Sequence, residues 1–282
     1  MLFRSRVVPR VVQTESQTLE TVQVDDTGLI KAKSQVSVTL LRQPLPDGSS
    51  LDMVLLPAGT FLMGSPHAQG HRDEEPQHLV HVNAFYLSQT TITQRQYKAV
   101  MKKLHPCRGK GLDFPVDRVS WFDAQGFCMK LSKCTGRDYR LPAEAEWEYA
   151  CKAGTFTDFT YGNMITTDLA NYVGLHTYRD GPEGIYRHGP IPPRGFPPNK
   201  FGLFDMHGNL DEWCLDTWHE NYVAAPIDAA PWIREGTTER VIRGGSWHDP
   251  PLLCRSASRL KLDPADGEDF MGIRIALSLR TE

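Results

Sequence analysis

The side chains best equipped for chemistry are a C-terminal cysteine, a group of histidines, a run of glutamates and two oxygen-rich loops. Cys254 is followed by Arg255 and Arg259. Cationic neighbours lower a thiol's pKa and would make it a nucleophile; the competing reading is a buried thiol that packs as a small apolar group. His67, His71, His78 and His81 lie close together. His78 and His81 fall an odd number apart on an expected strand, so they point to opposite faces, and no helical His ligand spacing occurs. Glu144, Glu146 and Glu148 open a helix, where they complement its dipole and supply surface charge; nothing pairs two of them as acid and base. The loops around Asn171, Tyr172 and Asp180, and around Asn209, Asp211 and Glu212, offer the oxygen donors that calcium takes in numbers of about six to eight. Such an ion would hold irregular backbone in one shape; the alternative is plain turn chemistry.

The elements that must position these groups are short. Alternation marks strands at Leu19–Val24 and Val36–Leu41, and Pro46-Asp47-Gly48 signals a turn. Met53–Met63 and Leu79–Leu87 read as strands, as do Arg240–Arg243 and Gly272–Leu277. Three helices have start signals. Thr93 with Gln96 forms a capping-box pattern ahead of an apolar face of Tyr97, Val100, Met101 and Leu104. Ser120 with Asp123 opens the second, with Ala124, Phe127, Cys128 and Leu131 on one face and Gly136 beyond its end. Pro142 lies in the first turn of the third, and Gly154 follows it. For over a hundred residues after Gly154 there is little helical periodicity, which predicts long ordered loops with a function. Residues 1–48 form an expected β-rich extension or linker, and residues 49–282 the main domain.

Composition bounds the function. The 282 residues carry a net charge of −3, against a phosphate-tracking nucleic-acid binder. The apolar stretch Met53–Met63 is broken by Pro57 and Gly59 and is too short to cross a membrane. Arg4, Arg6 and Arg10 give a faint targeting pattern with no secretory apolar run behind it. Six cysteines without a CxxC pair predict free thiols in a reducing compartment, hence a cytoplasmic protein.

Several strings together resemble one family: Leu56-Pro57-Ala58-Gly59-Thr60-Phe61-Leu62-Met63-Gly64-Ser65, Val119-Ser120-Trp121, Arg140-Leu141-Pro142-Ala143-Glu144-Ala145-Glu146-Trp147-Glu148-Tyr149, Met206-His207-Gly208-Asn209 with Glu212-Trp213, Arg243-Gly244-Gly245-Ser246-Trp247 and Gly272-Ile273-Arg274. The chain resembles the formylglycine-generating enzyme, or sulfatase-modifying factor, family over about residues 51–278. The resemblance implies an α+β, irregular, loop-rich C-type-lectin-like fold. The family's oxidases bind copper(I) through two cysteines downstream of the position of Ser246. Here the second is Cys254 and the first is Asp249, a hard donor replacing a soft one, so the resemblance argues against copper. Cys134 and Cys151 match structural cysteines of eukaryotic members, but their partner positions hold Arg259 and Ile275. The sulfoxide synthases of the family need histidines from an added helical domain, and the first histidine here is His67.

The segment Arg243–Arg274 is also similar to the variable proteins of diversity-generating retroelements, which use this fold as a display scaffold without catalysis. That likeness implies a framework of Trp247, Arg255, Arg259 and Arg274. Around it, His248, Asp249, Leu252, Leu253, Ser258, Leu260, Leu262, Asp266, Glu268, Asp269 and Phe270 would form a ligand-binding face. The expected function is recognition of a protein or other macromolecular ligand, with no catalytic residue, structural calcium, and residues 1–48 contacting a signalling partner. The alternative is a copper-dependent formylglycine-generating oxidase or divergent oxidoreductase using Cys254 and Ser246.

Overall fold

The computed structural model describes residues 13–279; the arginine-rich start lies outside them. The strands are β1 (Gln13–Val24), β2 (Ile30–Pro44), β3 (Ser50–Leu56), β4 (Gly59–Met63), β5 (His78–Val82) and β6 (Phe85–Ser88). Helices α1 (Gln94–Met101) and α2 (Trp121–Thr135) follow, then β7 (Tyr139–Arg140) and helix α3 (Glu144–Lys152). After a long irregular stretch come β8 (Asp211–Thr217), β9 (Arg240–Arg243), β10 (Arg259–Leu262), β11 (Met271–Gly272) and β12 (Ala276–Ser278). The fold is α+β and loop-rich, and no helix among the described residues is long and apolar enough to cross a membrane.

Three sheets organise it: a six-stranded one in the order β1-β2-β3-β6-β12-β7, a four-stranded one ordered β10-β9-β8-β11, and the β4–β5 pair. Thr93 and Ser120 cap α1 and α2 through the reciprocal bonds their spacing predicts, and Gly136 ends α2 in the left-handed region. The two helices cover one core, with Tyr97, Val100, Ala124, Phe127 and Leu131 packed against Trp213, Ile242, Met271 and Ile273. A second core gathers Trp147, Ala150 and Cys151 of α3 with strands β2 to β6. A third lies under the irregular stretch and joins Val22 and Val24 of β1 to Phe159, Tyr161, Tyr172, Tyr178 and Cys254.

Four expectations change. Met53–Met63 is two strands in different sheets, because Pro57 lacks the N–H a ladder needs. Leu79–Leu87 is likewise two strands, β5 and β6. The glutamates of α3 are not surface charge. Glu144, Glu146 and Glu148 are buried, and each is held by an arginine: Arg259, Arg140 and Arg243 respectively. Finally, Gly272–Leu277 is also divided between two strands in different sheets, β11 and β12. Within the expected β-rich extension, β1 and β2 join the main sheet through the β2–β3 pairing.

Candidate functional site

The site is built where β8 begins and β9 ends. Arg243 closes β9, and Gly244 and Gly245 then turn the chain with φ of +105° and +66°. A β-carbon on Gly245 would stand 2.8 Å from the Cys254 sulfur, so glycine alone allows this approach. Beyond the turn the Ser246 hydroxyl donates to the Asp249 carboxylate at 2.5 Å, and the Trp247 N–H donates to the Asn209 carbonyl at 3.1 Å. A short 3-10 helix, Pro251–Cys254, then carries Cys254 beneath the turn.

Asp211, first residue of β8, faces Asp249. Its carboxyl is fully buried, with the Asp249 carboxyl and the Gly245 N–H as its hydrogen-bonding neighbours. Burial first, and then Asp249 beside it, push the Asp211 carboxyl well above the usual range. The facing carboxyl of Asp249 thus makes the charged form of Asp211 unfavourable.

Cys254 is a free, buried thiol. Burial, and then Asp249 and Asp211, raise its pKa well above the ordinary value. The expected activation by Arg255 and Arg259 does not occur, because both guanidiniums are turned to glutamates. Arg255 makes a two-pronged bond to Glu74 at 2.6 and 2.9 Å, and Arg259 one to Glu144 at 2.8 and 2.9 Å. Under the thiol, the buried ring of His207 accepts from the Thr160 N–H at 3.0 Å and donates through Nδ1 to the Cys254 carbonyl at 2.8 Å. Burial pushes His207 down to about 4, so it is a neutral strut.

Around this centre stands an aromatic rim. Trp247 lies nearly parallel to Tyr186 at 6.3 Å and edge-on to His248 at 5.2 Å; His248 stacks on Phe270 at 5.9 Å, and Tyr186 touches His188 at 3.9 Å. The Arg108 guanidinium sits 4.5 Å over the Trp247 ring and pairs with Asp269 at 2.7 Å.

The structure divides the expected ligand-binding segment. His248, Asp249, Asp269 and Phe270 meet at the rim, with Leu252 and Leu253 on the adjoining 3-10 helix. Leu260 and Leu262 do not join them. They lie on β10, paired with β9, and pack on the first core. Ser258 is buried, and its carbonyl accepts from Arg243 at 2.6 Å. Asp266 and Glu268 are exposed on a turn that the Arg118 N–H reaches through the Glu268 carbonyl. Trp247, Arg255, Arg259 and Arg274 are all buried; Arg274 pairs with Glu212 at 2.8 Å and donates to the Ser88 and Phe204 carbonyls.

The six expected calcium ligands do not converge. Asn171 and Asn209 meet, with the Asn171 amide donating to Asn209 Oδ1 at 3.1 Å, and Asn209 is otherwise spent on the Ile191 backbone. Glu212 is taken by Arg274 and the Trp147 indole, Asp211 faces Asp249, the Tyr172 hydroxyl donates to the Ile165 carbonyl, and Asp180 is exposed on another loop. Asn171 Oδ1 stays buried without a hydrogen bond, and among the described residues no three His, Cys, Asp or Glu side chains cluster as a metal site. A two-thiolate copper(I) site does not fit: the donor set offers one protonated thiol and two hard carboxyls. Sequence reasoning missed Arg108, Tyr186 and His188, which no motif connects to Trp247.

Residues 41–279 match the sulfatase-modifying factor enzyme 1-like domain, and the chain belongs to that family. Among curated relatives, it is 25% identical to the serine/threonine-protein kinase pkn1 of Chlamydia caviae, covering 99% of this chain and 48% of the kinase. It is 26% identical to the bovine formylglycine-generating enzyme, over 79% of this chain and 74% of the enzyme. The chain thus spans less than half the length of the chlamydial kinase it matches. Among solved structures, PvdO from Pseudomonas aeruginosa is similar at 32% identity and a TM-score of 0.72, covering 81% of this chain and 94% of PvdO. Treponema denticola variable protein 1 shares the fold at 23% identity and a TM-score of 0.72, covering 82% and 96% of the two chains.

Proposed function

We propose that this domain is a recognition module without oxidase chemistry, and that it binds its ligand at the rim of Trp247, His248, Asp249, Asp269 and Phe270. The observation that carries this reading is the pairing of Asp249 with Asp211 over a single protonated thiol. A dioxygen-activating copper(I) centre needs soft thiolates, and a pair of hard carboxyls stands beside the one thiol in that place. The rim supplies what recognition needs: aromatic faces, a rigid backbone fixed by buried arginines, and polar groups at the edge. Treponema denticola variable protein 1, which shares the fold, supports a display role. In that role the diversified positions would be those on the rim and the 3-10 helix, and Leu260 and Leu262 would stay fixed as core. Residues 1–48 would carry contacts to a signalling partner, as the match to a kinase suggests.

The test is incubation of the intact protein with copper(I), oxygen and a Cys-x-Pro-x-Arg peptide, alongside a copper(I) titration. No aldehyde and no stoichiometric uptake are expected. An aldehyde product, lost in Cys254→Ala, would overturn the reading and restore an oxidase. Sequencing the locus for a nearby near-copy of codons 247–274 that differs at adenines tests the display role separately.

A further inference from the structure

Charge is not spread evenly over this chain. Residues 94–138, which hold α1, α2 and the loops beside them, carry ten lysines and arginines against four aspartates, a surplus of six in a chain of net −3. Three of those aspartates are committed. Asp113 pairs with Arg95 at 2.8 Å, Asp117 is buried and accepts the Arg108 and Gly109 N–H groups, and Asp123 caps α2. Asp138 stands beyond the end of that helix. Among the described residues, no carboxylate lies within 4.0 Å of the ammonium groups of Lys98, Lys102, Lys103 or Lys133, and all four residues are exposed.

The same surface is apolar. α2 buries Ala124, Phe127, Cys128 and Leu131. Its opposite side carries Phe122 and Met129, two turns apart and 59% and 66% exposed, with Lys133 one turn further on. The end of α1 is fastened alongside. The Lys130 ammonium donates to the Met101 carbonyl at 3.0 Å, and His105 comes within 3.8 Å of Asp123. Between these two ties the chain lays Lys102, Lys103 and the 56% exposed Leu104 along the flank of α2. Large apolar side chains gathered on one surface mark a contact site. This one is a convex ridge, its apolar tips flanked by lysines on long flexible stems. A protein partner would have to offer a matching groove lined with acids. An anionic lipid leaflet meets both features without one, taking the apolar tips at its acyl boundary and the ammonium groups at its phosphates.

We propose that the α1–α2 face docks on an anionic membrane surface. α2 lies along the leaflet, Leu104, Phe122 and Met129 dip into the interface, and Lys102, Lys103 and Lys133 sit on the headgroups. This is contact from one side and involves no crossing of the bilayer. It uses none of the rim residues, so it goes beyond the recognition reading and stands or falls apart from it.

The test is flotation of the whole protein with vesicles of mixed phosphatidylcholine and phosphatidylserine, and with vesicles of phosphatidylcholine alone. Binding to the mixed vesicles is expected, with at least about tenfold less to the neutral ones, because each lysine near an anionic leaflet strengthens binding about fivefold. Added salt should weaken it. Phe122→Ser with Met129→Ser, and separately Lys102→Glu with Lys103→Glu and Lys133→Glu, should each lower binding at least about tenfold. Thermal unfolding checks that both variants are folded, and Lys→Gln at the same three positions replaces the charge reversal if it is not. Poly-glutamate is the acidic macromolecular control. Its capture without vesicle binding would assign an acidic protein partner and overturn the membrane proposal. No vesicle binding, equal binding to both kinds of vesicle, or binding that neither variant weakens would likewise overturn it.

Discussion

Two buried charged regions lie near the end of β9 and are built on opposite logic. At one, Glu144 and Glu148 of α3 meet Arg243 and Arg259, with Lys152 2.7 Å from Glu148 and the Tyr222 hydroxyl 2.9 Å from Glu144. Every charge there has an opposite charge and further hydrogen bonds, the one condition under which buried ions hold a structure together. At the other, Asp211 and Asp249 face each other with no cation between them. The first region fixes the position of β9; the second sets two acids against each other in the same frame. The contrast separates charges that hold the fold from charges that work against it.

Breaking the paired region has the largest expected effect. Glu148→Ala takes the close carboxylate from both Arg243 and Lys152, leaving Arg243 only Glu144 at 3.7 Å, and the expected loss is about 3–5 kcal/mol in denaturant unfolding. Leu260→Ala, on the strand beside β9, should cost about 1–2 kcal/mol if Leu260 is core, as its packing requires. Asp211→Asn works in the other direction. It removes one of two facing acids, and the expected gain is about 1 kcal/mol without ligand, read as a raised unfolding midpoint.

The pH profile sharpens the same contrast. Burial first, and then Glu144, raise Asp216 to about 7. A raised acid binds its proton more tightly folded than unfolded, so its contribution to stability is full below about pH 4 and is lost as pH rises towards 7. Glu148 and Glu74 are lowered, so theirs is present at neutral pH and lost as pH falls below the unfolded carboxylate value. Asp216→Asn should therefore compare worse with the parent at pH 5 than at pH 8; an equal deficit at both would refute the assignment. The smallest effect belongs to Leu252→Ser. Leu252 is 44% exposed, and its replacement should change stability by less than about 0.5 kcal/mol.

What could be read from the sequence was local. Thr93 and Ser120 announce α1 and α2 because a capping box is a contact between residues three apart. Arg240–Arg243 showed itself as a strand at its true bounds. β8 stayed hidden, since Asp-Glu-Trp-Cys-Leu-Asp-Thr neither alternates nor looks apolar. Its acids are buried by partners far along the chain, such as Arg274 for Glu212 and Asp249 for Asp211. The α3 glutamates looked like surface charge for the same reason: the arginines that bury them lie up to 115 residues away. At the site, motif strings pointed to Trp247, Asp249 and Cys254, but Arg108, Tyr186 and His188 arrive from irregular loops that carry no periodic signal.

The long hairpin at the start of the described chain bears on all of this. The family match opens at residue 41, inside β2, so β1 and most of β2 lie ahead of it. Yet Val22 and Val24 share one apolar cluster with Cys254, and the Val24 N–H is tied to the Tyr161 carbonyl at 2.9 Å. The inner arm of the hairpin is thus part of the apolar floor in which Cys254 sits. Trimming the protein to the family boundary would remove that support.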